Sequence, residues 1–322
     1  MMKCVTLSNP VERKNVRPLD NEIVRVKETG NVLELMWLQR RNKRISIRKI
    51  SNDEYILLAT GEVKRFDKQT SRADNVGTVK RSLAALRDLI NCNCTDVSRC
   101  RWVTLTYREN MTDSKRLYRD FKYFVARLRY RIGKFEYIVA AEPQGRGAWH
   151  LHLLMIFRGK APYIANEDMA RCWRQGFVKV KKLDNVDNVG AYLTAYLGDM
   201  SLDDVKQSDV DVNGVYEVKT VNVDNVSKKI IKGLRLSLYP PKFNLYRCSR
   251  GVKRPTVQYM SNKSAEEKAS SAKLTFEKTV QLSDDDKGFS NLINYRYYNY
   301  KGVYTSRQYK CSTKLGKFFA YP

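Results

Sequence analysis

Histidine is nearly absent: the 322 residues contain only His150 and His152. There is no apolar run of membrane-span length and no charged-then-apolar leader at the N-terminus. These absences predict a cytoplasmic protein with no membrane partner. No G-x-x-x-x-G-K-S/T loop occurs either, so neither a nucleotide cofactor nor a fused nucleotide-driven motor is expected. Acid is scarce, with 34 Asp and Glu against 60 Lys and Arg, for a net charge of +26. That surplus runs along the whole chain and predicts a polyanionic partner. The seven cysteines are odd in number. Cys92, Cys94 and Cys100 cluster without the histidine or fourth cysteine that a zinc pattern needs, so reduced thiols are expected.

Hydrophobic residues make up 43% of the chain, enough for at least one full core. The 20 tyrosines lie among the cations, a mixture suited to nucleic acid because rings stack on unpaired bases while Lys and Arg hold phosphates. Residues 1–74 read as a β-prone accessory region of short strands. Val79, Leu83, Leu86 and Ile90 then mark one face of a helix. Trp102 to Tyr107 reads as a strand, followed by a helix that starts near Thr112 or Asp113 and stops at Gly133. Phe135 to Glu142 and His150 to Phe157 form a hairpin. A short helix around Glu167 to Trp173, a strand at Phe177 to Val180 and a helix from about Val186 to Leu197 complete the block. This order predicts an α+β fold, a ferredoxin-like or RRM-like antiparallel sheet covered by helices. The main domain is placed at 75–255, with a polar insertion at about 200–225. Residues 256–322 read as a polar linker and a Tyr-rich C-terminal segment, mobile from Ser261 to Asp286.

His150 and His152 are two apart on a strand, so both imidazoles point to one face. A hairpin turn centred on Arg146 places Glu142 opposite His150, where its carboxylate can be a third ligand or pair with Arg146. Gln144 is the substitute. Two imidazoles and a carboxylate suit Mn²⁺ or Mg²⁺ with positions left for phosphate and water. On the Val186 to Leu197 helix, Tyr192 and Tyr196 lie one turn apart. They are either phenolic nucleophiles or amphipathic packing. Arg146, Lys179, Lys181, Lys242, Arg247, Arg250, Lys253 and Arg254 are the expected nucleic-acid contacts.

Three segments together resemble the HUH superfamily of rolling-circle replication initiators, from small bacterial plasmids and filamentous or other single-stranded DNA phages. RWVTLTY (Arg101 to Tyr107) is similar to its first motif, EPQGRGAWHLHLLMIF (Glu142 to Phe157) to its second and NVGAYLTAYLGDM (Asn188 to Met200) to its third. The resemblance covers about Asn75 to Pro255. It implies that Glu142, His150 and His152 hold a divalent metal and that Tyr192 or Tyr196 attacks single-stranded origin DNA. The products implied are a 5′-phosphotyrosine link and a free 3′ hydroxyl, followed by rejoining. It further implies a bacterial host cell, with a host helicase and DNA polymerase as partners. One departure stands out: Ala195 occupies a position where members often carry a lysine, so Lys179 or Lys181 would have to replace it. A relaxase or a single-strand transposase uses the same parts, although many relaxases place the nucleophile before the histidines. A non-catalytic RRM-like nucleic-acid-binding protein would explain charge and fold but not the histidine pair.

Overall fold

The computed structural model describes residues 11–41, 46–67, 72, 76–183, 190, 199–201, 218–223, 226–231, 234–284 and 289–300. Six short strands come first: β1 (Val11–Arg13), β2 (Ile23–Thr29), β3 (Val32–Leu38), β4 (Ile47–Lys49), β5 (Glu54–Leu57) and β6 (Val63–Arg65). Helix α1 (Val76–Asn93) leads into β7 (Cys100–Thr106), α2 (Ser114–Ile132), the β8–β9 hairpin (Glu136–Pro143, Trp149–Ile156), α3 (Asn166–Trp173) and β10 (Val178–Lys181). Local chemistry sets these bounds. Asp113 caps α2 by accepting the Lys115 amide at 2.7 Å, and Gly133, at φ 83°, ends the helix in a conformation that favours glycine. Leu117, Phe121, Phe124 and Leu128 recur at helical spacing and are all buried.

The central sheet has the order β10-β7-β9-β8-β14, with β14 (Tyr246–Cys248) on the outer side of β8 and every pairing antiparallel. The first four strands have the order 4-1-3-2 of a ferredoxin-like βαββαβ unit, as the α+β reading expects. Alternation along each strand gives the sheet two different faces. Val103, Leu105, Leu151, Leu153 and Met155 pack beneath α2 and α3. Cys100, Ile138, Ala140 and Leu154 face the other way, against Leu86, Leu89 and Ile90 of α1. His150 and His152 share the α1 face with them.

Both ends of the chain build a second, six-stranded antiparallel sheet of order β1-β16-β17-β3-β2-β15. Its later strands are β15 (Thr256–Ser261), β16 (Lys273–Asp284) and β17 (Phe289–Asn299), with α4 (Asn262–Ala269) packed on Val24, Leu33 and Leu35. The stretch from Ser261 to Asp286, read from composition as a mobile linker, thus carries a helix and a long strand over its described part. β16 shows its apolar residues on one face only, and that half-apolar alternation looks polar when averaged. Within the expected polar insertion, β11 (Met200–Ser201) and β12 (Val218–Val223) pair with β13 (Val226–Ile231) in a small sheet. Strands β4, β5 and β6 form another.

A buried ionic cluster joins the six-stranded sheet to α1. Lys27 of β2 meets Glu34 of β3 and Asp88 of α1, each at 2.9 Å, and Arg87 lies 3.5 Å from Glu34. Gly30, at φ 64°, turns the β2–β3 hairpin so closely against the Asn91 carbonyl of α1 that a side chain would collide with it.

Candidate active site

The β8–β9 turn closes with Gln144 N donating to Ala148 O at 2.8 Å and Gly147 N, from a residue at φ 87°, donating to Gln144 O at 2.7 Å. That closure fixes the register: Glu142 stands opposite His150 and Ala140 opposite His152. On the other flank Thr106 of β7 is opposite His150 and Thr104 opposite His152. Period two then places Glu142, His150 and His152 on one face, and one ligand atom from each lies within 4.8 Å of the others. The Nε2 of His152 is 2.5 Å from Glu142 Oε2. The Nε2 of His150 is 3.1 Å from Thr106 Oγ1. Trp102 stacks on His152 with ring centroids 5.5 Å apart, walling the cluster on one side.

Glu142 is buried, and Arg235 from the short 3₁₀ turn Leu234–Leu238 meets it there. The Arg235 Nε lies 3.0 Å from Glu142 Oε1 and also donates to Asp199 O at 2.8 Å, while Nη1 donates to Pro143 O at 2.9 Å. Burial pushes the Glu142 carboxyl up, but the His152 hydrogen bond and the charges of His152 and Arg235 outweigh it and hold Glu142 below its usual value. Burial, reinforced by neighbouring His152, lowers His150 to about 4, so its imidazole is neutral at pH 7. His152 Nδ1 is buried with no hydrogen-bond partner. No protein group fixes that ring's tautomer, and a lone pair is available to an ion. A neutral imidazole, a second imidazole without a fixed tautomer and a carboxylate kept ionised are the donors a divalent transition or alkaline-earth cation needs. The residues therefore fit a metal.

The other expected site residues scatter. Lys179 and Lys181 pair opposite Thr104 and Trp102, alternate with the core-facing Val178 and Val180, and so share the histidine face. Arg146 sits exposed at the hairpin tip, bonded to Gln144 Oε1 at 3.2 Å and Tyr107 O at 3.1 Å, so Gln144 is engaged in the turn and Glu142 pairs with Arg235 instead. Arg247 projects to the α2 face, 3.3 Å from the Tyr118 ring centroid. Lys253 is tied through its backbone to Asn93 at the end of α1, next to exposed Arg254, with Arg250 and Lys242 exposed elsewhere. Tyr192, Ala195 and Tyr196 lie outside the described residues. Their near neighbour Gly190 is described, buried against α1 with its amide donating to Asn91 Oδ1 at 2.8 Å. Sequence reasoning missed Arg235, since its partners lie 36 and more residues away and no periodicity marks it.

Residues 100–201 match a family described as Replication-associated protein, of the ORF2 type. This stretch is a replication-associated domain. It runs from β7 to β11 and contains Glu142, His150, His152, Tyr192 and Tyr196. The match supports a rolling-circle replication initiator acting in a plasmid or phage setting, and the HUH resemblance is consistent with it. No curated protein and no solved structure matches the chain. As a replication initiator the domain would bind DNA at an origin. Among the described residues, no helix is long and apolar enough to cross a membrane.

Proposed function

We propose that the protein nicks single-stranded origin DNA, with Tyr192 or Tyr196 as nucleophile and a divalent metal held by Glu142, His150 and His152. The observation that carries this reading is the convergence of those three ligand atoms within 4.8 Å inside a replication-associated domain. Mn²⁺ or Mg²⁺ bound there supplies Lewis-acid polarisation of a phosphoryl oxygen, with Mn²⁺ favoured by imidazole. The chain itself does the rest. Arg235 neutralises one carboxylate oxygen of Glu142 and leaves the other directed at the histidines, so that Glu142 offers one ligand atom. Lys179 and Lys181 lie on the same sheet face, where they can hold the flanking phosphates in place of a lysine at Ala195. A tyrosine Oη attacks phosphorus in line, and the P–O3′ bond breaks. The phenol proton is lost as the departing oxygen gains one, leaving a 5′-phosphotyrosine and a 3′ hydroxyl. The link keeps the energy of the phosphodiester, so a later 3′ hydroxyl can displace the tyrosine and rejoin a strand. A host helicase and polymerase would act on the opened origin.

The test uses single-stranded oligonucleotides tiled across the replicon that encodes the protein. Manganese should produce a protein–DNA adduct that survives denaturation, and EDTA or the His150→Ala, His152→Ala pair should abolish it while oligonucleotide binding persists. Cleavage that ignores EDTA and the double variant would remove the metal from the reaction.

A further inference from the structure

We infer that the outer surface of α2 and α3 is a second contact for single-stranded nucleic acid, on the sheet face away from Glu142, His150 and His152. It rests on the proposed function only for the identity of the polyanion as DNA. Helix α2 carries seven Lys and Arg but one acid, Asp120, which is buried and accepts the Tyr107 hydroxyl at 3.2 Å. Some of these cations have structural work: Arg129 donates to Phe135 O at 2.8 Å, and Arg127 ties α2 to α3 through Cys172 O at 2.8 Å. Others do not. Arg131, Arg171 and Arg174 converge with Ala126, Arg127 and Tyr130 around one concavity between the helices.

Among the described residues, Asp168 alone offsets those guanidinium groups, at 3.8 Å from Arg131 and 3.3 Å from Arg171, so the concavity keeps a positive surplus. Arg174 caps α3 at φ 64°, a left-handed conformation that glycine normally fills. A long cation is thus held at the rim of the concavity in a backbone geometry that disfavours it. Tyr130 is 93% exposed. A ring left open to solvent beside several guanidinium groups is the pairing that takes an unpaired base on its face and the adjoining phosphates on its cations. Because α2 and α3 cover the face opposite the histidines, a strand bound here is a different segment from the one at the metal site. Loss of this contact should therefore weaken binding and spare the chemistry.

Fluorescence anisotropy of the full chain with an oligothymidylate, in EDTA and over a range of salt, tests this. Arg131→Ala, Arg171→Ala and Arg174→Ala combined should make the slope of log K against log salt shallower by about 2, from about 0.7 for each of three phosphates. The matching lysine substitutions should restore it. Tyr130→Ala should lower affinity roughly tenfold while Tyr130→Phe does not, since stacking needs the ring alone. All of these side chains are on the surface, and melting temperatures should stay at the parental value. Unchanged slope and affinity, or a loss confined to a duplex of equal length, would overturn the inference. Adduct formation at saturating oligonucleotide reports separately on the nicking reading, so the two can fail independently.

Discussion

Glu142 divides its two oxygens between His152 and Arg235, and much of the site's behaviour follows from that division. Arg235→Ala would leave a buried carboxylate without its guanidinium and two carbonyls without their donor. The expected loss is about 3–5 kcal/mol of unfolding free energy, measured by urea denaturation, with partial recovery by lysine. His150 gives a pH signature. Its folded value of about 4 lies below the ordinary 6.5, so the unfolded chain takes up the proton first as pH falls. Stability contributed by the neutral ring is complete above about pH 6.5 and is lost towards about pH 4, and His150→Gln should flatten that part of a metal-free stability curve. The histidine pair and the Glu142 register were legible because strand period and turn length are local. Arg235 was not, because it reaches Pro143 across 92 residues.

Among the elements, α1 links the others. Its Arg87 and Asn91 receive Gly190, and a methyl group there would run into the Arg87 carbonyl and come within 2.8 Å of Asn91 Oδ1. Backbone cannot yield as a side chain can, so Gly190→Ala should displace the segment that precedes Tyr192 and Tyr196. Adduct yield should fall by about tenfold, equivalent to roughly 1.4 kcal/mol, while Mn²⁺ affinity, set by the β8–β9 hairpin, stays at the parental value. An adduct yield equal to that of the parent would show that this contact does not hold the nucleophile. Helix α2 was readable to its caps, since Asp113 and Gly133 act on neighbours. Strand β16 was not readable, because its partners β1 and β17 and its bulge between Leu274 and Phe276 come from pairing far along the chain.

At the scale of the whole molecule, the two ends of the sequence form one sheet, and the Lys27, Glu34, Arg87 and Asp88 cluster fastens it to the replication-associated unit. Burial acts to raise the Glu34 carboxyl, but the charges of Lys27, Arg87 and Arg25 outweigh it and hold the group below the usual range. Glu34→Ala should therefore cost about 3 kcal/mol or more in thermal or urea unfolding, by stranding Lys27 and Arg87. None of this long-range assembly is local enough to show in composition. The central claim concerns chemistry, and mass spectrometry of the protease-digested adduct formed with Mn²⁺ and an origin oligonucleotide tests it most directly. The account predicts a nucleotide linked through its 5′ phosphate to a peptide containing Tyr192 or Tyr196, with none formed by the Tyr192→Phe, Tyr196→Phe double variant. An adduct on any other residue, or cleavage that leaves a free 5′ phosphate and no adduct, would contradict it.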